Sequence, residues 1–211
     1  MSKNENITLW NDEKVIDPKH CKNVSVSGKH NFTNIDAYYL LEKATARFGA
    51  YGKGFGLKEG LSIEEVHLGD TILIKLNGIF FYEGGEFPVF NALKLMYKTS
   101  KGYDKVDEEA YKKIITNTIG KALSYLGFGA DVYMGKFEDA TYLQEITQDF
   151  ALEEYNGYLN TIKEYIDKAT EKEKVTKWVL DRAKSDDIAK ISYESAKEIA
   201  KLITQKMKKM S

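Results

Sequence analysis

Between Thr71 and Lys98 two runs rich in β-branched and aromatic residues, Thr71 to Tyr82 and Phe87 to Lys98, are separated only by Glu83-Gly84-Gly85-Glu86. Glycines at the middle of such a segment supply positive φ, so the segment reads as a long β-hairpin. Phe87, Val89, Leu93 and Leu95 share one face of the return strand, and that face must be covered by another element. Asn77-Gly78 inside the outgoing strand predicts a bulge or bend. Upstream, the run Gly52-Lys53-Gly54-Phe55-Gly56-Leu57 opens a strand and Ile63 to Leu68 continues in extended form, which makes an antiparallel sheet the centre of the fold.

Helical periodicity flanks this sheet. Thr33 to Asp36 supplies an N-terminal cap, and Ala37, Leu40, Leu41, Ala44 and Phe48 recur at three- and four-residue spacing up to Gly49, predicting a helix over 35–48. A second helix begins after Asp107-Glu108-Glu109 and ends near Leu126, where Gly127 and Gly129 stop it. Its wheel sets Tyr111, Ile115, Ile119, Ala122 and Leu126 on the packing side and Lys113, Asn117, Lys121 and Ser124 on the free side. Asp131 to Phe137 reads as a short extended piece. Residues 1–32 read as a polar arm with one short strand at most, able to add a strand to a neighbour. From about Gln144 the composition turns helix-forming, with helices expected over 147–169, 170–183 (opened by a capping box of Thr170 with Glu173) and 192–209. These pack around Trp178, Ile188, Ile191, Ile199 and Leu202. The expected architecture is therefore α+β: an N-terminal arm at 1–32, a core at 33–146 in which a twisted antiparallel sheet packs on helices, and a helical C-terminal module at 147–211.

Composition narrows the function. Lys plus Arg number 31 against 32 Asp plus Glu, so any polyanion site must be a local patch. No run approaches the roughly 18 apolar residues of a membrane span. The first twenty residues carry no leader core and the single cysteine, Cys21, has no internal partner, so a cytoplasmic location is expected. His20, Cys21 and His30 lack the spaced pairs of a zinc site, and neither a metal nor a cofactor is expected. The glycines of Gly49 to Gly56 precede a strand and lack the Gly-Lys-Ser/Thr ending of a nucleotide loop; they form a turn cluster or allow close backbone approach to a phosphate chain. His67 has no nucleophile elbow to serve. Asp70, Glu83, Glu86 and Asp131 are the carboxylates available to a magnesium-dependent nuclease, turn and solvated-edge roles being the alternative.

Lys94 to Lys121 holds seven lysines against four acids, a local excess in a balanced chain. Such a stripe is either a solvated face or, beside Tyr125, Phe128 and Tyr133, a surface where ammonium groups neutralise phosphates and rings stack on bases.

The run Ile115-Thr116-Asn117-Thr118-Ile119-Gly120-Lys121-Ala122-Leu123-Ser124-Tyr125-Leu126-Gly127, set after helix, strand and long hairpin, resembles the Rad-fifty-two-like single-strand annealing proteins, including the phage Sak and Erf groups. Leu126 to Lys136 also looks like the phage members. The resemblance implies an ATP-independent protein, not an enzyme, that binds single-stranded DNA and anneals complementary strands in phage recombination. It would act in the bacterial host cytoplasm as a homo-oligomeric ring or filament. In that family two adjacent basic residues of this helix contact phosphates; Lys121 matches one, while Gly120 stands where the other would be. Lys113, Lys94 or Lys53 are the candidate replacements, and the expected DNA-binding set is Lys121, Lys113, Asn117, Lys94, Lys53, Tyr125, Phe128 and Lys136. The C-terminal module would recruit a phage exonuclease or a host single-strand-binding protein. Two rival readings stand beside this one: a magnesium-dependent nuclease, and a protein-interaction module whose lysines are merely solvated.

Overall fold

A computed structural model describes residues 7–26, 30–99 and 101–210. The chain is mixed α+β and divides into two units, one ending at Ala140 and one beginning at Thr141.

The first unit opens with a helix, α1 (Thr8–Glu13), a 3-10 turn at Pro18–His20, and a hairpin of β1 (Cys21–Val26) with β2 (His30–Ile35). The expectation of a loose arm with one strand is corrected for its described residues; 1–6 and 27–29 lie outside them. Ile16 is fully buried, and its backbone N–H donates to Asp131 Oδ2 at 3.2 Å. Gly129 N–H donates to Glu13 O and Asp131 N–H to Lys14 O, so residues over a hundred positions apart are stitched together by main-chain hydrogen bonds. Composition missed this because a single buried isoleucine in a polar segment has no period to detect.

Asp36 caps α2 (Ala37–Phe48), accepting from Tyr38 N–H at 2.8 Å, and the helix buries Leu40, Ala44 and Phe48. Next come β3 (Phe55–Leu57), β4 (Ser62–Leu68), β5 (Thr71–Tyr82), β6 (Gly85–Lys98) and a short edge strand, β7 (Asp104–Val106). All pairings in this five-stranded sheet are antiparallel; β3 and β4 share one edge of β5 end to end, and β6 and then β7 lie on the other side. The irregularity in the long hairpin falls between Ile72 and Leu73, while Asn77 and Gly78 pair regularly with Phe90 and Val89. A Cβ on Gly78 would come within 2.8 Å of Leu61 Cδ1, the end of a flexible side chain that would have to shift.

One sheet face, with Ile74, Leu76, Phe80 and Val89 buried, lies under α3 (Ala110–Tyr125). Asn91 Nδ2 donates to Thr118 Oγ1 across this contact at 3.0 Å. The buried stripe of α3 is Ala110, Ile114, Ile119, Ala122 and Leu123, turned from the expected one. Tyr111 is exposed, its hydroxyl donating to Glu65 Oε1 at 2.7 Å, and Ser124 is buried, donating to Lys121 O. A hydroxyl that bonds its own helix backbone loses its claim on solvent, which is why Ser124 can face inward. The segment after α3 is also corrected: it forms a turn of helix, α4 (Ala130–Tyr133), and a 3-10 turn at Lys136–Glu138, because left-handed Gly129 and Gly135 restart helical backbone rather than extend it.

The second unit holds α6 (Lys172–Ala183), α7 (Tyr193–Met210) and nearly all of α5 (Ala140–Asp167). α5 begins seven residues before the expected start at Thr147. Leu159, Ile162, Ile166, Val179, Ile191, Ile199 and Ile203 form its core, with Trp178 and Ile188 partly buried against them; Leu202 is outside the cluster. Glu154 accepts from Tyr158 and Tyr193 hydroxyls, and Tyr155 donates to Ile191 O. The Thr170–Glu173 capping box does not form, because α6 starts two residues later with Glu171 at its cap position. Among the described residues no helix is long and apolar enough to cross a membrane.

Candidate nucleic-acid interface

Lys121 projects from the solvent side of α3, with Nζ 5.0 Å from the centroid of the Tyr125 ring and 5.9 Å from that of Tyr133. Tyr125 is one helical turn further along and 60 % exposed. Tyr133 comes back to the same place because the chain reverses between Leu126 and Ala130. Gly127 (φ 102°) and Gly129 (φ 67°) both take backbone that side chains avoid, and both are crowded: a Cβ on Gly127 would sit 2.7 Å from Trp10 Cα, and one on Gly129 2.4 Å from Ile35 Cδ1. Phe128 between them is driven inward, fully buried, with its ring 5.7 Å from that of Phe48. Its expected role as a stacking surface for bases is therefore corrected to that of a core residue.

Beside Lys121 runs a groove of about 440 Å³, inside the size range of small-ligand clefts. Ala37, Leu40 and Gly120 line its base, Thr116, Asn117, Lys121 and Tyr133 one side, and Val24, Phe32 and Asn34 of the N-terminal hairpin the other. A smaller cavity of about 40 Å³ continues beneath Gly120 between α2 and α3, lined by Leu41, Ile119 and Leu123 as well. The groove lining contains one cation and no carboxylate. Among the described residues Lys121 has no ion-pair partner, so its charge is held by rings alone, an arrangement that leaves an ammonium open to an anion. Partial desolvation raises the pKa of the Tyr133 phenol above its ordinary value.

Of the residues expected at the site, Lys121, Asn117 and Tyr125 are gathered here. Lys113 is exposed but grips both carboxylate oxygens of Asp107 at 2.8 Å; this hydrogen bond lowers the Asp107 pKa and raises that of Lys113, so the charge is already matched. Lys94 belongs with Phe90 and Ala92 on the sheet face turned away from α3, since strand alternation opposes it to Asn91, which touches Thr118; it is corrected out of the patch. Lys53 is exposed in the turn after α2 and Lys136 in the 3-10 turn after α4, and neither lines the groove.

Sequence reasoning overlooked the hairpin wall. Val24 pairs with Phe32 and Lys22 with Asn34, and alternation sets these four on one hairpin face. Lys22 is exposed and without an ion-pair partner among the described residues. The signal was present as the alternation of Lys22, Val24 and their partners, but without the pairing it could not be aimed at α3.

The other candidate chemistries disperse. Asp70 is at the turn before β5, paired with Lys98, while Glu83 is in the turn after it and Glu86, paired to Lys58, at the start of β6; twelve strand residues at about 3.3 Å each separate the two ends. Asp131 is buried and bound to backbone N–H groups of Ile16 and Val132. Among the described residues no three histidine, cysteine or carboxylate side chains converge as metal ligands. Burial, together with Asp131 and Asp17, pushes the Cys21 thiol up to about 12, which leaves it without nucleophilic character at neutral pH. Neither a protein-family model nor a curated protein matches the chain.

Proposed function

We propose that this protein binds single-stranded DNA along the Lys121 groove and, as a homo-oligomer, anneals complementary strands without ATP, in the manner of the Rad-fifty-two-like annealing proteins its α3 sequence resembles. The observation that carries the reading is the Lys121 ammonium, free of carboxylates and flanked by Tyr125 and Tyr133 at the edge of an acid-free groove. Phosphate neutralisation beside aromatic faces is what unpaired nucleic acid requires. In the family two adjacent cations of this helix share the task; here Gly120 stands where one would be, and our candidate for the second charge is Lys22, which lies outside the groove lining but is exposed on the hairpin face that carries Val24, Phe32 and Asn34. The mechanism is physical: neighbouring copies align their grooves, hold a strand extended, and let a second strand test its pairing. A magnesium-dependent nuclease is disfavoured because its carboxylates are dispersed, Asp70 and Glu86 being ion-paired at opposite ends of β5 and Asp131 buried against backbone N–H groups.

The test is binding of a fluorescent oligonucleotide across a salt series, with annealing of complementary strands followed in parallel. Lys121→Ala and Lys22→Ala are each expected to lower affinity and to reduce the salt slope by about one unit. Parent protein that binds no oligonucleotide, or a Lys121→Ala variant that binds like the parent at every salt concentration, overturns the proposal.

A further inference from the structure

The groove beside Lys121 has more depth than a backbone track needs. A track for phosphates alone requires only cations, whereas this surface is a cleft with an apolar base (Ala37, Leu40, Gly120), an aromatic wall (Phe32, 48 % exposed) and a ring at its mouth (Tyr133, 52 % exposed). Gly120 is what keeps it open. It lies in the middle of α3, where glycine is unfavourable, and no packing demands it: a Cβ would stand 3.9 Å from Leu40 Cδ1, an ordinary contact. Any longer side chain at that position would project into the space between α2, α3 and the hairpin. The polar atoms around this space fit a heteroaromatic edge. Asn117 and Asn34 line it with amides that both donate and accept, and Thr116, whose hydroxyl donates to Lys112 O, retains acceptor capacity.

We infer that the groove takes an unstacked nucleobase of the bound strand, seated over Gly120 against Phe32, with the adjoining phosphate on Lys121. The inference rests on the proposed single-strand binding and adds that each copy grips one base as well as backbone, the other bases of the strand staying open to pairing. Charge complementarity favours this occupant, since an ammonium without an ion-pair partner among the described residues, at the edge of a cleft with no acid in its lining, matches a ring attached to an anion.

The experiment compares a thymidine oligonucleotide with an abasic sugar–phosphate chain of equal length and charge, using the full chain and the variants Gly120→Ala and Gly120→Leu, with melting temperatures recorded for each. Leucine has the higher helix propensity, so Gly120→Leu is expected to fold. The parent should bind the abasic chain about tenfold more weakly, the low end for losing a stacked base. Gly120→Leu should abolish the preference for the thymidine oligonucleotide over the abasic chain, while Gly120→Ala keeps the parental preference. Equal binding of both chains by the parent, still dependent on Lys121, would overturn the base site and leave the proposed function standing. Binding of neither chain would remove both.

Discussion

At the scale of single residues two of the aromatics expected at the site, Phe128 and Tyr125, separate cleanly by burial. Phe128 is enclosed beside Phe48, so Phe128→Ala should cost about 3–5 kcal/mol of stability, read from chemical denaturation, and reduce DNA binding only through unfolding. Tyr125 is exposed over Lys121, so Tyr125→Ala should leave the melting curve in place and weaken oligonucleotide binding. The Lys113–Asp107 pair tethers the start of α3, and its pH dependence has a definite sign. Asp107 has a lowered pKa in the folded chain, so its stabilising contribution is present above the ordinary carboxylate pKa and is lost as pH falls through the lowered value. Lys113 has a raised pKa, so its contribution is complete below the ordinary lysine value and fades as pH rises through the raised one. In chemical denaturation followed across pH, Asp107→Asn should flatten the acid limb of the stability profile and Lys113→Met the alkaline limb. Cys21, with its thiol held near 12, should resist alkylation at pH 8 until the chain is denatured.

At the scale of elements, helix ends and one helix interior hold the adjustable stability. Gly120→Ala should stabilise by roughly 0.5–1 kcal/mol in thermal unfolding, because alanine removes the backbone-entropy penalty and its methyl group meets nothing closer than Leu40. Lys184 closes α6 in left-handed backbone (φ 51°), so Lys184→Gly should stabilise the helical unit by about 1 kcal/mol. Much at this scale was legible in the sequence. The Asp36 cap and the stripe of α2, the end of β4 at Leu68, both ends of β5, and the tight turn between β5 and β6 follow from spacing and turn chemistry that act within a few residues. The rotation of the α3 stripe was not legible, since Tyr111 and Ser124 take their sides from Glu65 and the Lys121 carbonyl.

At the scale of the whole molecule the proposed activity requires more than one copy, since a single groove of about 440 Å³ can hold only a short part of a strand. Light scattering of the full chain should give a mass several times that of the 24.0 kDa protomer, and fluorescence annealing should proceed without nucleotide. A protomeric mass together with unannealed strands would defeat the assembly.

Local pattern alone determined that this chain builds an antiparallel sheet with a long hairpin, a lysine-bearing amphipathic helix and a helical C-terminal region, because strand alternation, helical period and glycine turns are properties of neighbouring residues. Which lysine stays open, which aromatic is enclosed, and that the N-terminal hairpin walls the groove were decided by tertiary structure. These outcomes depend on contacts between distant segments, Asp131 holding Ile16 and Trp10 against Gly127, and on the particular turn of chain that brings Asp107 onto Lys113. A charge or a ring becomes a binding group only when the fold withholds its other partners, and no stretch of sequence states which partners those will be.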